Sequence, residues 1–344
     1  MQKTKKILIR SVIISLVIFL IIFAVRLYND KKYKDLETTS SPKYYEDVTN
    51  LDLYPSEIEG VDITYVDYKS MQGFRLLPKN KLHKGVVVTF GGSEGSPNFE
   101  EARRLAEKGY ETYALFMFGM KNQAKTLTKI PLEQFEDLKK YLEMNVEDRK
   151  PLTLLGASKG AEYALNLASK YKDIDNLILF APASYNFSGL DFQDYGSSWT
   201  YRGEELAYID IQKGSFSVFL NNIVLASIIN SPIAYENTYK SAIDKDDNNY
   251  EKLIPVKEIE ADILMFAGEE DSMWNSLEMA NIIRSQNSKA KVYPFEGAGH
   301  IFGLNSILNS GNMKIKLGGN LEDNKRAKEE SDRIVDDFLS NKHK

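Results

Sequence analysis

Pro151-Leu-Thr-Leu-Leu-Gly-Ala-Ser-Lys-Gly-Ala-Glu-Tyr-Ala-Leu165 decides how the rest of the chain reads. Leu152 to Leu155 is an apolar run suited to a buried strand, and from Ala161 onward the apolar spacing is helical. Between them, Gly156-Ala-Ser-Lys-Gly160 fits G-x-S-x-G. A strand that turns at once into a helix holds the serine in a strained backbone conformation, and side chains two residues either side would collide. Ser158 Oγ is thereby pushed clear of the sheet at a helix N-terminus, where backbone N–H groups can stabilise an oxyanion. The pattern also occurs in ordinary turns, so the strand and helix flanking it carry the reading.

Outward from this stretch, strands and helices alternate. Val61 to Tyr68 alternates like a half-exposed strand, and Gly73 to Pro78 answers it as an antiparallel hairpin. Val86-Val-Val-Thr-Phe90 is continuously apolar, as a strand buried on both faces should be, and it runs into Gly91-Gly-Ser-Glu-Gly-Ser96. A helix over 99–108, a strand over 112–116 and a helix over 132–144 follow, then the opening strand and a helix over 161–171. Beyond the strand 176–181 comes an irregular stretch over 182–213, an apolar helical segment over 216–229 and a charged loop around Asp244 to Asp247. The strand 262–267 ends in Gly268-Glu-Glu-Asp271; helix 276–285, strand 290–294, the loop Glu296-Gly-Ala-Gly-His300 and helix 323–339 complete the order. This alternation predicts a mostly parallel α/β sheet, helices on both faces, and ligands meeting at the C-terminal ends of the strands.

Residues 1–34 are a separate object. Lys3, Lys5, Lys6 and Arg10 precede Ser11 to Val25, which holds no charge. With Ile7-Leu-Ile9 and a snorkelling Arg10 it is long enough for a span of about 20 residues. A cleaved signal peptide begins the same way, but no small-x-small site precedes Arg26, which favours an uncleaved signal anchor. The basic N-terminus then places the rest of the chain outside the cytoplasm, on a single-pass protein of the cell membrane. Residues 35–56 read as a polar tether, and 57–344 as the catalytic domain with a cap-like insertion at about 183–250.

Composition excludes several classes. At 344 residues with 43% hydrophobic side chains, the chain can bury a full core. The absence of cysteine rules out disulfides, thiolate metal sites and a cysteine nucleophile, and neither a metal nor a cofactor is expected. The first 34 residues carry eight of the 44 Lys+Arg and one of the 49 Asp+Glu, leaving 36 basic against 48 acidic residues, net −12. Such a domain has no electrostatic footprint for nucleic acid.

A serine nucleophile needs a base, and the base an orienting acid. The chain has three histidines. His83 precedes a strand and His343 lies in what reads as a frayed tail, whereas His300 sits in a glycine-flanked loop after a late strand. The acid should follow the preceding strand, where Asp271 is chosen over Glu269 and Glu270 because the glycine turn places it over the strand end. The backbone N–H groups of Ser93 and Lys159 are the expected oxyanion hole; a phosphate-binding loop is disfavoured because no G-K-[ST] follows. Phe219 and Ile223, on a helix apolar on more than one face, are expected either to line an acyl pocket or to belong to the core.

The chain resembles the C-terminal domain of the acyl-CoA thioester hydrolases and bile acid-CoA:amino acid N-acyltransferases, within the α/β-hydrolase superfamily. The resemblance covers roughly residues 80–340. It rests on Val86-Val-Val-Thr-Phe-Gly-Gly-Ser-Glu-Gly95, Phe116-Met-Phe-Gly119, Ile130-Pro-Leu-Glu-Gln-Phe135, Gly156-Ala-Ser-Lys-Gly-Ala-Glu162, Gly196-Ser-Ser-Trp-Thr-Tyr-Arg-Gly203, Gly268-Glu-Glu-Asp-Ser-Met-Trp-Asn-Ser276, Gly297-Ala-Gly-His300 and Gly318-Gly-Asn320. It implies an α/β-hydrolase fold, with Ser158, Asp271 and His300 as triad in the chain order such enzymes use. The amino-acid-transferring members use cysteine, so Ser158 resembles the hydrolase branch. Residues 35–80 are too short for the immunoglobulin-like N-terminal sandwich of animal members. The expected function is a membrane-anchored serine hydrolase acting on a small-molecule acyl thioester or ester. An acyltransferase or peptidase on the same triad, or a non-catalytic binding domain, are the alternatives.

Overall fold

The computed structural model describes residues 2–39, 41–191, 193–311 and 313–344. Val61–Tyr68 (β1) and Met71–Pro78 (β2) form the expected hairpin, with Val61 opposite Pro78 and Tyr68 opposite Met71. The apolar runs become Val86–Phe90 (β3), Glu111–Leu115 (β4), Leu152–Ala157 (β5), Asn176–Phe180 (β6), Asp262–Gly268 (β7) and Ala290–Phe295 (β8). They assemble one eight-stranded sheet in the order β1-β2-β4-β3-β5-β6-β7-β8. Only β2 runs against its neighbours; the rest pair in parallel. The inner strands are buried along nearly their whole length, while β1 at one edge alternates buried and exposed residues. Periodicity in the sequence therefore reported each strand's depth in the sheet.

The helices are Gln2–Tyr33 (α1), Phe99–Glu107 (α2), Gln134–Asn145 (α3), Lys159–Lys170 (α4), Phe216–Ile228 (α5, with a π turn at Leu220–Leu225), Glu236–Lys245 (α6), Ser276–Gln286 (α7) and Leu321–Lys342 (α8). Phe135 and Leu138 of α3, Ala161 and Leu165 of α4 and Ile283 of α7 share one core with the sheet. Leu105 of α2 with Ala327, Val335 and Leu339 of α8 packs on the opposite face against Val87, Leu155, Ile178 and Phe266. The parallel sheet is thus covered on both faces, as its unbroken apolar strands require.

Three stretches differ from the sequence reading. The expected polar tether is no free linker: Lys43–Glu46 and Leu51–Leu53 are short 3₁₀ turns, and Tyr44 and Tyr54 are buried against Phe74 and Phe99. Its tyrosines, hidden among polar neighbours in the sequence, supply an apolar face that a linker would leave in water. Glu236–Lys245 forms a helix (α6) that runs into the charged loop expected around Asp244 to Asp247, and Ile307–Ser310 pairs with Met313–Lys316 in an unforeseen hairpin.

The tail is not frayed either. His343 is fully buried, with Nδ1 2.7 Å from the Lys84 carbonyl and Nε2 2.7 Å from Thr153 Oγ1, which itself accepts from Asn176 Nδ2 at 3.0 Å. A neutral ring fits these partners: Nδ1–H donates and Nε2 accepts. Burial holds the group below its ordinary value of 6.5. As pH falls through 6.5 the unfolded chain binds a proton that the folded chain refuses, so stability is complete above that value and declines below it towards the folded pKa. Urea unfolding at pH 7.5 and at pH 5 should show a larger loss for the natural chain than for His343→Gln. Equal losses in both would place the titration elsewhere.

Candidate active site

At the turn between β5 and α4, Ser158 has φ 55° and ψ −119°, a conformation L-residues avoid. Two close approaches hold it there. A Cβ at Gly156 would stand 2.2 Å from the Gly160 carbonyl oxygen, and one at Gly160 would stand 2.2 Å from the Gly91 carbonyl oxygen. Both glycines of the motif are therefore steric requirements of the turn. The Ser158 N–H donates to the Phe180 carbonyl at 2.9 Å, pinning the turn to β6.

The structure brings Ser158, His300 and Asp271 together in one hydrogen-bonded line. His300 Nε2 lies 2.9 Å from Ser158 Oγ, and His300 Nδ1 lies 2.8 Å from Asp271 Oδ2. Asp271 and His300 are buried, whereas Glu269 and Glu270 are exposed, which separates Asp271 from its neighbours in sequence. The second oxygen, Asp271 Oδ1, accepts from the N–H groups of Met273 (2.9 Å) and Trp274 (3.3 Å). The indole of Trp274 meets the imidazole edge-on, at 5.0 Å between centroids. With one oxygen tied to the backbone and the other to Nδ1, the ring is fixed with Nε2 directed at the serine.

Residues around the start of α8 hold these loops. Gly318 (φ 90°) passes so close to the acid loop that a Cβ there would stand 1.8 Å from the Glu270 carbonyl oxygen. The His300 N–H donates to the Leu317 carbonyl at 2.9 Å, and the Glu270 N–H to the Ala298 carbonyl at 2.9 Å. Asn324, buried in the first turn of α8, accepts from the Gly299 N–H at 2.7 Å. Nothing in the sequence marks Asn324 except its position four residues after Asn320, the residue that caps α8.

The loop after β3 lies against Ser158, since a Cβ at Gly92 would stand 3.4 Å from Ser158 Cβ. The Gly91 and Gly92 N–H groups are taken by Ser96 O (3.0 Å) and Glu94 Oε1 (3.1 Å). Among the described residues, no hydrogen bond engages the N–H of Ser93 or of Lys159. These are the two donors expected for the oxyanion hole.

The Lys159 side chain has a different task. It is buried, with Nζ 2.8 Å from Glu162 Oε2 and 2.9 Å from Ser198 Oγ, beside the rings of Phe187 and Trp199. Glu162 Oε1 in turn accepts from Trp199 Nε1 (2.8 Å) and the Phe187 N–H (3.1 Å). Burial pushes the Lys159 ammonium below its ordinary pKa, while Glu162 opposes that shift. The Lys-Gly-Ala-Glu and Ser-Ser-Trp motifs are thus two halves of one buried network behind Ser158. Lys159→Ala should destabilise the fold by about 3–5 kcal/mol, because Glu162 is left charged and unpaired, while the double variant Lys159→Met/Glu162→Leu should recover most of that loss. Denaturant midpoints of the three proteins check this. If the double variant is as unstable as Lys159→Ala, packing rather than the orphaned charge is responsible.

Phe219 and Ile223 are not drawn to the triad by any hydrogen bond or ring contact among the described residues. Phe219 retains 45% of its surface exposed, and Ala226 is the one buried residue of α5. A core role for this helix, one of the two expectations, is excluded by that exposure.

The family model described as "BAAT / Acyl-CoA thioester hydrolase C terminal" matches residues 130–342. Human acyl-coenzyme A thioesterase 1 is 28% identical over 208 residues, 60% of this chain and 44% of its own length. Mouse bile acid-CoA:amino acid N-acyltransferase is 25% identical over 249 residues, 70% of this chain and 54% of its own. The chain therefore spans about half the length of the curated relatives it matches. Among solved structures, a Pyrococcus furiosus esterase superimposes with a TM-score of 0.52 at 14% identity, covering 85% of this chain and 95% of that one, a likeness of fold. That fold is the α/β hydrolase.

Proposed function

The chain belongs to the BAAT / acyl-CoA thioester hydrolase C-terminal family, and from that premise we propose that it is a membrane-anchored serine hydrolase cleaving an acyl thioester or ester. The observation that carries this reading is the unbroken line Ser158 Oγ–His300–Asp271. In the mechanism, His300 Nε2 takes the Ser158 proton as Oγ attacks the acyl carbonyl. The N–H groups of Lys159 and Ser93 hold the resulting oxyanion. His300 then gives the proton to the departing thiol or alcohol, leaving an acyl-enzyme, and the same ring activates the water that releases the acid. Asp271 keeps the proton on Nδ1 and stabilises the imidazolium while it lasts.

The apolar helix α1 supports the anchor, with the domain on the extracytoplasmic side of a cell membrane because Lys3, Lys5, Lys6 and Arg10 precede the span. A panel of acyl thioesters, oxygen esters and amides of one acyl group, offered to the full-length chain in detergent, tests the reaction. Thioester or ester hydrolysis should dominate and should stop on treatment with a fluorophosphonate. Faster transfer to an added amine would support the acyltransferase reading, and faster amide cleavage the peptidase. A chain that neither turns over nor takes up the probe would be a binding domain.

A further inference from the structure

Between Lys213 and Glu236 the chain carries no charged residue, and α5 occupies the middle of that interval. Phe216 (73% exposed), Leu220, Leu225 and Ile228 all present apolar surface outward. The π turn at Leu220–Leu225 matters here. Residues five apart would stand about 140° apart around an α-helix, whereas the wider i→i+5 winding of a π turn brings Leu225 closer to the side of Leu220. The local irregularity gathers these side chains toward one side.

The place of this helix is fixed by α1. The uncharged stretch of α1 ends at Val25, and the next residue, Arg26, donates from Nη1 to the carbonyls of Ser227 (3.2 Å) and Ile228 (2.8 Å). One turn further, Asn29 Nδ2 donates to the Ile229 carbonyl at 2.8 Å, and Asn230 donates to Asp30. A guanidinium at the C-terminus of a helix satisfies its unpaired carbonyls and complements its dipole, so α5 is locked to α1 where the apolar span gives way to charge. The hairpin behind it is held to the same segment: Lys314 pairs with Asp30 (3.0 Å) and Glu37 (2.8 Å).

From these contacts we infer that α5 is a second membrane contact, an interfacial helix whose exposed Phe216, Leu220, Leu225 and Ile228 lie in the bilayer surface beside the exit of α1. A helix with large exposed apolar side chains, held at the depth where a span ends, has the position of a monotopic segment, with Ser217, Asn221 and Asn222 as its polar residues in place of the usual charged face. Tyr28, Tyr33, Lys31 and Lys32 around the exit are the residue types that mark a headgroup level. The occupant of the apolar face is therefore lipid. The inference rests on the reading of α1 as a retained membrane anchor.

The chain has no cysteine, so single thiols can be placed and given an environment-sensitive fluorophore without background. Phe216→Cys, Leu220→Cys and Leu225→Cys are labelled in the full chain, reconstituted into phosphatidylcholine/phosphatidylglycerol vesicles with or without phosphatidylcholine carrying a nitroxide near the glycerol end of its acyl chain. Phe23→Cys reports the anchor, and Leu82→Cys, before β3 at the opposite end of the parallel strands, is the aqueous control. Unfolding midpoints confirm that each variant folds. The three α5 labels should be quenched as strongly as the Phe23 label, and the Leu82 label should not be. If Phe23 is quenched while the α5 labels respond to aqueous iodide, α5 faces water and the inference fails with the anchor intact. If the α5 labels escape both quenchers, protein covers them, as in contact with a second copy, and the inference again fails. An unquenched Phe23 label overturns the anchor reading and the inference together.

Discussion

Ser158→Ala should fold as well as the natural chain and lose about six orders of magnitude in kcat. The alanine keeps the Cβ that already occupies the turn, so the backbone strain at φ 55° and the glycine contacts around it are unchanged. Only Oγ is lost, and with it the one atom that His300 Nε2 contacts at 2.9 Å. What remains is a site that can bind the acyl group and polarise its carbonyl, worth about 10³–10⁴ over the uncatalysed reaction. Steady-state turnover of the best thioester or ester, beside a thermal unfolding curve, measures both halves of the expectation. Retention of more than a tenth of the activity would mean that Ser158 is not the nucleophile.

Asp271→Asn should lower kcat by about 10⁴ with little change in stability. The reason lies in the division of labour between the two carboxylate oxygens. Oδ1 accepts from the Met273 and Trp274 N–H groups, and an asparagine would leave its carbonyl oxygen there. Its NH₂ would then face His300 Nδ1, which must become an acceptor, moving the ring proton to Nε2. A protonated Nε2 cannot take the proton of Ser158. Glu270→Gln is the matched comparison, since Glu270 is an exposed neighbour on the same loop and should turn over like the natural chain. If the two variants lose activity equally, the acid has been assigned to the wrong residue.

Much of this site was legible because its parts are local. The elbow needs a strand, two glycines and a helix within fifteen residues, and Asp271 and His300 each close a loop after a readable strand. Features that depend on contacts distant in sequence were not legible. Lys159 and Glu162 look like an ordinary helical pair until Ser198, Trp199 and Phe187 close around them. Asn324 gains its role only where α8 crosses the His300 loop. The opposite error arose at α5, whose apolar sequence suggested burial although the domain leaves it exposed. Hydrophobic periodicity says that a surface avoids water, not which medium replaces it.

The position of His343 bears on how the protein is made. His343 closes the space between Lys84, leading into β3, and Thr153 of β5, and α8 just before it covers one face of the sheet. During synthesis every strand of the sheet emerges before α8, which carries the side chains that seal that face. While the chain is still being made, Val87, Leu155, Ile178 and Phe266 have no α8 to cover them. Until α8 has followed the strands, the nascent domain is a sheet with one apolar face still open, the kind of surface on which partly made chains associate.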